Sequence, residues 1–213
     1  MRWAGASKWA VSRSPASAPH KRYDVLREPI HPWNLRTAAR LLRLGAIVAY
    51  PTEAVFGLGC NPYDEAAVFR LLALKQRPVE KGMILIADNF ERLKPFVGNL
   101  PQETLDHVLS HWPGPVTWLL PAAENTPYWL TGRHTTLAMR VTNHPIAAAL
   151  CRAAAMPLVS TSANLSRRQP ARTPLQVRLR CGDGVDWIIH GKTGGLSKPT
   201  PIRDALSGKI LRG

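Results

Sequence analysis

Two short apolar runs with a helical pattern between them constrain the fold of this chain most strongly. Ala46–Tyr50 and Met83–Ala87 each have the length and composition of a buried strand. Between them, apolar side chains recur at helical spacing after Asp64, which is a suitable helix N-cap. A strand, a helix and a second strand in succession are typical of α/β proteins, whose open sheets bind ligands at strand ends.

The same alternation continues along the chain and predicts the remaining elements. Further helices are expected from Pro32 up to Gly45, and at Pro101–His111, Pro145–Ala154 and Pro174–Arg180. Further strands are expected at Val116–Leu120, Thr135–Val141, Pro157–Ser160 and Asp186–His190, with a final pair of short strands within Ile202–Leu211. The predicted fold is a single α/β domain, with a twisted sheet of mixed parallel and antiparallel strands and with helices on both faces.

The charge of the 213-residue chain restricts its partners. With 45% apolar and 20% charged residues, the chain can form one sizeable core. Its formal net charge of +14 favours an anionic partner such as a nucleotide, a nucleic acid or an acidic surface. The excess is uneven, because residues 152–213 carry eleven Lys and Arg against three Asp and Glu.

Residues 1–30 differ from the rest and are predicted to be a disordered basic extension that precedes a domain at 31–213. They carry six Lys and Arg against two Asp and Glu, and they show no periodicity. Their composition superficially matches an organelle transit peptide, and an upstream start codon is the simpler alternative.

Cysteine usage and hydropathy favour a cytoplasmic protein. Cys60, Cys151 and Cys181 are widely spaced, with no Cys-x-x-Cys pair, which suggests a reducing compartment and no zinc ribbon. No apolar run reaches transmembrane length, so we expect no membrane association.

Three cations lie in the predicted loop between the helix after Asp64 and the strand Met83–Ala87. Lys75, Arg77 and Lys81 fall within seven residues. A solvated loop explains any one such charge, but the cluster, beside the polar turn that follows Tyr50, favours a pocket for a polyanion such as a nucleotide triphosphate.

Two further features lie at or near the ends of predicted strands. Ser160–Asn164 begins where a strand ends, and its hydroxyls, amide and backbone N–H groups suit an oxyanion or a phosphate, although such clusters are more often turns. Arg140 shares a strand face with Ala138 and either points into a cavity, where it needs an anionic partner, or reaches solvent.

Other motifs do not complete a known pattern. Gly191–Thr193 resembles the end of a P-loop, but position 186 is Asp where that motif needs Gly. Gly57–Gly59 lacks the third glycine of a dinucleotide-binding fingerprint. His107 and His111 have helical metal-ligand spacing but no evident third ligand, so no metal site is predicted.

Six segments in one order form a specific set of motifs. They are Tyr50–Cys60, Leu74–Ile86, Trp112–Thr117, Leu137–Pro145, Pro157–Ser166 and Ile202–Ala205. This set strongly resembles the YrdC/TsaC family of threonylcarbamoyl-AMP synthases, in its bacterial single-domain form. The resemblance runs from about residue 32 to the end and implies a YrdC-like catalytic domain at 31–213.

The resemblance implies an ATP-dependent reaction in tRNA modification. Family members convert L-threonine, bicarbonate or CO2, and ATP to L-threonylcarbamoyladenylate and pyrophosphate, with Mg2+ expected on the ATP and no structural metal bound to the protein. The product feeds the tRNA threonylcarbamoyl-transfer machinery that modifies adenosine 37, and direct binding of tRNA is left open. Because both reactants are anionic, the enzyme must offset their repulsion.

The resemblance also assigns roles to positions of this sequence. The residues expected to offset the repulsion, and so to be catalytic, are Lys75, Arg77 and Lys81. Those expected at the threonine end are Thr52, Lys81 and Arg140. Those expected to bind ATP are Ser160, Ser162, Asn164 and Arg203.

Two departures from the family pattern are visible. Arg167 and Arg168 follow Ser166 where members commonly have Gly, which puts a tight turn in doubt or adds a cation. Pro199-Thr200 replaces Pro-Ser before the last motif, and the hydroxyl is kept.

The net charge also fits an alternative function, a structured-RNA or ribosome-binding protein. A carbamoyl-transfer domain of hydrogenase maturation factors is a third candidate, but such domains usually belong to much larger chains.

Overall fold

Helices and strands alternate through the part of the chain that the structure, a computed structural model, describes, residues 30–166 and 168–212. The predicted extension, except Ile30, and Arg167 lie outside the described residues. The helices are α1 (Pro32–Arg43), α2 (Glu65–Lys75), α3 (Gln102–Ser110), α4 (Tyr128–Thr131), α5 (Pro145–Ala154) and α6 (Pro174–Cys181). The strands are β1 (Val48–Pro51), β2 (Phe56–Cys60), β3 (Ile84–Ala87), β4 (Thr117–Pro121), β5 (Thr136–Val141), β6 (Leu158–Ser162), β7 (Trp187–Ile188), β8 (Ile202–Asp204) and β9 (Ile210–Arg212).

The strands of the described residues form one open sheet of nine strands. Their order is β7-β1-β2-β6-β3-β5-β4-β8-β9. The pairs β1–β7, β3–β5 and β4–β8 are parallel, and the other neighbours are antiparallel. The predicted mixed sheet is therefore confirmed, and each predicted strand is present with shifted ends.

Strand β2 has no counterpart among the predicted elements. Two of its five residues are glycines, which weaken the apolar pattern of a strand. At Gly59, a Cβ atom would lie 2.7 Å from the Val159 carbonyl oxygen and 2.8 Å from the Tyr50 ring. Glycine occupies this position because its neighbours leave no room for a side chain, so the feature that hides the strand in the sequence is a packing requirement.

Helices cover both faces of the sheet, as predicted. Side chains alternate along β1, so that Ile47 and Ala49 pack into one apolar cluster while Val48 and Tyr50 pack into another. The first cluster includes side chains of α2, α3 and α6, and the second those of α1 and α5. Burying each large apolar side chain contributes about 1.5–3 kcal/mol, so the two clusters supply most of the folding free energy.

The caps at the two ends of α2 fix a helix whose last residue, Lys75, is buried. The Asp64 side chain accepts a hydrogen bond from the Ala67 N–H at 3.0 Å and caps the first turn, as predicted. The helix ends at Gln76, which adopts a left-handed conformation, and the Arg77 N–H then donates back to the Leu72 carbonyl. This C-cap fixes the direction in which the chain leaves the helix, next to the buried Lys75.

We predict that Asp64→Ala lowers the free energy of unfolding by about 1 kcal/mol, because the first turn of α2 loses its cap. Asp64→Ser keeps a capping oxygen and should lose less. Urea unfolding followed by circular dichroism compares the two variants. Equal losses would show that the cap does not act through this hydrogen bond.

Candidate active site

A cavity of about 860 Å³ lies over one part of the sheet. Its floor includes Ser160, Ile84, Ala138 and Leu119, which pair in one row across β6, β3, β5 and β4. Ile86, two residues further along β3, points to the same face but packs with α1 and α5, so the cavity lies beside those helices. Its volume falls within the range of small-molecule sites, about 300–1,000 Å³.

Most of the residues predicted for the site line this cavity. They are Thr52, Lys75, Arg77, Lys81, Arg140, Ser160, Ser162 and Asn164. Arg203 does not line it. On β8, Ile202 lines the cavity, whereas Arg203 pairs with the core residue Trp118 on the neighbouring strand. The expected contact of Arg203 with phosphates stays a prediction.

The Lys75 ammonium group holds the loop that follows β6. It donates hydrogen bonds to the carbonyl oxygens of Ser162 and Asn164 and to the side-chain oxygen of Asn164, which lies 3.3 Å away. These acceptors account for its three N–H donors. Burial lowers the pKa of Lys75 to about 8, while the oxygen acceptors favour the charged form.

Arg77 and Lys81 have different surroundings although they are close in sequence. Arg77 donates to the carbonyl oxygens of Gly82 at 2.8 Å and Lys81 at 3.2 Å, and so fixes the segment that leads into β3. Lys81 itself is exposed at the edge of the cavity. Of the three predicted cations, Lys81 is therefore the most exposed.

The polar groups of the described residues in the loop after β6 bond to each other and to α2. Ser162 donates to the Asn164 side-chain oxygen at 2.6 Å, and the Asn164 amide donates to the carbonyl oxygens of Leu165 and Arg168. The Ser166 hydroxyl donates to the Lys75 carbonyl at 2.7 Å. This arrangement is more than an ordinary turn, since a buried lysine organises it.

Arg140 forms a buried ion pair with a residue to which the sequence assigned no role. Its Nη2 atom lies 3.3 Å from Oε2 of Glu53, and the two residues are 6% and 4% exposed. Nη1 donates to the Thr200 hydroxyl at 2.5 Å and more weakly to Thr117. Of the two alternatives for Arg140, the one in which it points into a cavity is confirmed. The hydroxyl group kept at position 200 accepts a hydrogen bond from Arg140.

Two more residues that the sequence did not single out complete this buried network. The Thr142 hydroxyl donates to Oε1 of Glu53 at 2.6 Å, and the backbone N–H of His144 donates to that hydroxyl. Burial raises the pKa of Glu53, but Arg140 and Thr142 outweigh it and hold the pKa below its ordinary value. Burial lowers the pKa of His144 despite the nearby Glu53 carboxylate. The sequence contained one signal, since a buried arginine requires an anion and Glu53 lies in the polar turn after β1.

Neither a metal site nor a membrane span is evident in the described ranges. Within residues 30–166 and 168–212, no group of three or more His, Cys, Asp or Glu side chains converges to hold a metal ion. In the same part of the chain, no helix is both long and apolar enough to cross a bilayer.

We predict that Glu53→Gln lowers the free energy of unfolding by about 3–5 kcal/mol at pH 7, because Arg140 is left buried without a counter-charge. The pKa of Glu53 lies below 4.5, so its stabilisation is present above pH 4.5 and is lost as the pH falls through the lowered value. The gap between wild type and variant should therefore shrink in acid. Urea unfolding at pH 7 and below pH 4.5 measures it, with the exposed Glu103→Gln as the control, and a gap independent of pH would contradict the pairing.

The open mixed sheet and its cavity define an α/β protein with a cavity of the size that small molecules occupy. The family model Sua5/YciO/YrdC, described as "Telomere recombination", matches residues 40–213. The chain belongs to this family, and the resemblance seen in its motifs is confirmed.

Curated relatives share about half of their residues with this chain. It is 52% identical over 181 residues to the threonylcarbamoyl-AMP synthase of Halorhodospira halophila, covering 85% of this chain and 95% of that protein. It is 52% identical over 177 residues to the enzyme of the same name from Klebsiella pneumoniae, covering 82% and 93%.

A solved structure with the same fold holds an amino acid. The chain is 34% identical to P. abyssi Sua5 complexed with L-threonine, with a TM-score of 0.78. The match covers 83% of this chain and 52% of that protein, so this chain spans about half the length of Sua5.

Proposed function

We propose that this chain is a threonylcarbamoyl-AMP synthase, which makes L-threonylcarbamoyladenylate and pyrophosphate from L-threonine, bicarbonate or CO2, and ATP. The observation that carries the proposal is that Lys81, Arg140, Thr52 and the loop after β6 all line the same cavity. The identity to curated synthases over more than four-fifths of the chain supports the reaction, and the threonine in the Sua5 structure supports one substrate.

The reaction needs positioning and charge compensation more than a side-chain nucleophile. The threonine amine, as the free base, attacks CO2, a C–N bond forms and a proton is released, which leaves a carbamate. A carbamate oxygen then attacks the α-phosphorus of ATP, the bond from that phosphorus to the bridging oxygen breaks, and pyrophosphate leaves with the electron pair. Two anions meet in the second step, so a positive potential in the cavity lowers its barrier.

Lys81 is proposed as the cation that touches the reactants, because it is exposed and lines the cavity. Lys75 and Arg77 hold backbone carbonyl oxygens, so we assign them to fixing the two loops that border the cavity and to adding positive charge behind them. Thr52 and Arg140 are assigned to the threonine end.

Ser160, Ser162 and Asn164 are assigned to the nucleotide. Ser160 and Ser162 present hydroxyl groups at the cavity, and Asn164, whose side-chain oxygen accepts from Lys75 and from the Ser162 hydroxyl, fixes the position of Ser162. Arg203 remains proposed for the phosphates, although its side chain would have to reach the cavity from a neighbouring position on β8.

Mg2+ is treated as part of the substrate. Across the described ranges 30–166 and 168–212, no group of three or more His, Cys, Asp or Glu side chains is placed to hold a resident metal ion, and Mg2+ is proposed to arrive bound to ATP. The downstream tRNA threonylcarbamoyl-transfer machinery, and tRNA itself, are proposed partners, and the cytoplasm is the proposed compartment.

The purified protein is expected to form L-threonylcarbamoyladenylate and pyrophosphate when ATP, L-threonine and bicarbonate are all present. Mass spectrometry of the products, with each reactant omitted in turn, tests this. If ATP is not consumed while the protein binds structured RNA with an affinity that falls steeply with salt, the RNA-binding alternative is favoured instead. Use of carbamoyl phosphate instead of threonine and bicarbonate would favour the carbamoyl-transfer alternative.

Lys81→Ala is expected to reduce kcat/KM roughly 10–100-fold, because a hydrogen bond to a charged group is worth about 1.5–3 kcal/mol. Lys94→Ala is the matched control, since Lys94 is exposed and does not line the cavity. Both proteins should fold like wild type by circular dichroism. Steady-state kinetics that leave the Lys81 variant as active as the control would remove Lys81 from the site.

A further inference from the structure

Residues 191–200, which we call the strap, connect β7 to β8 and have no regular secondary structure. The strap crosses the turn that follows β1. The Gly194 N–H donates to the Thr52 carbonyl at 2.9 Å, and the Leu196 N–H donates to the Glu53 carbonyl at 3.0 Å. At its far end, Pro199 and Thr200 line the cavity. Its position therefore determines the shape of one wall of the site.

Two side chains of the buried network form hydrogen bonds to the strap, one near each end. Arg140 donates to the Thr200 hydroxyl near one end, and the His144 ring contacts the Lys192 carbonyl oxygen at 3.2 Å near the other. A carbonyl oxygen only accepts, so Nε2 of His144 carries the proton and donates it. Nδ1 is buried and has no hydrogen-bond partner among the described residues.

His144 itself is 2% exposed and does not line the cavity, so it cannot touch a substrate. Its backbone N–H is fixed by Thr142, whose hydroxyl also bonds Glu53. The imidazole thus links the network around Glu53 to the strap that lies over the same turn. Loss of the ring donor would leave the Lys192 end of the strap without this part-buried hydrogen bond.

We propose that His144 is a positioning residue, which holds the strap against the Thr52–Glu53 turn and thereby sets the affinity of the site for the amino-acid substrate. The proposal rests on the proposed function, because it takes Thr52 and Arg140 as the threonine end. Gly194 contributes to the same contact between the strap and the turn. A Cβ atom there would lie 3.0 Å from both the Cα and the carbonyl oxygen of Glu53, so a side chain would push the strap and the turn apart by a few tenths of an ångström.

The experiment compares His144→Leu, which removes the ring donor, with His144→Gln, whose amide can still donate to the Lys192 carbonyl. His190→Leu is the matched control, since His190 is exposed two residues before Lys192. The first readout is hydrogen–deuterium exchange of the Gly194 and Leu196 amides, which needs no activity. Exchange should become at least about tenfold faster in His144→Leu and stay near wild type in the other two proteins.

The second readout is kinetic. His144→Leu should raise the KM for threonine about tenfold and change the KM for ATP less than about twofold, and His144→Gln should remain within about threefold of wild type for both. Gly194→Ala displaces the strap without touching the histidine, and it should show the same selective loss.

The outcomes separate the two proposals. If wild type makes no adenylate, the proposed function fails, while exchange still decides whether His144 holds the strap. Unchanged exchange in His144→Leu, or a His144→Gln protein as impaired as His144→Leu, would overturn the role of the ring donor. Equal effects on the KM values for threonine and ATP would overturn the link to the amino-acid end.

Discussion

Glu53 and Arg140 are both buried, and neither charge could stay there without the other, because an isolated ion in the interior costs several kcal/mol. Their pairing brings together parts of the chain that are far apart in sequence. The turn after β1, strand β5, and the strap meet at these two side chains or at the hydroxyl groups that bond them. The geometry of the proposed threonine end therefore follows from one requirement, that two buried charges be satisfied.

Lys75 follows the same rule on the other side of the cavity. Its charge is buried, and its donors are used on the oxygen atoms of the loop after β6. A cation placed behind a loop contributes positive potential to the cavity and also fixes the positions of the loop's own polar groups. Lys75 therefore serves two purposes. The three cations that are neighbours in the sequence have three different environments in the structure.

Local patterns in the sequence were enough to predict five of the six α-helices in the described residues, most strands and the cap at Asp64, because these depend on apolar spacing and on residues a few positions apart, whereas the four-residue helix α4 was not predicted. Strand β2 was missed because Gly59 reflects a contact with Tyr50 and Val159, which lie on other strands. The family motifs located the residues around the cavity, but they could not assign partners. The acceptors of Lys75 lie 87 to 89 residues away along the chain, and only the folded sheet brings them together.

The row of paired residues that forms the cavity floor comes from four strands, and its walls come from loops spread over most of the chain. No fragment carries a complete set of contacts, so the recognition surface exists only when the entire sheet has assembled. Occupancy by a ligand is consequently linked to global unfolding and shifts the melting transition of the whole domain. Selection for tight substrate capture and selection for thermodynamic robustness then act on the same residues.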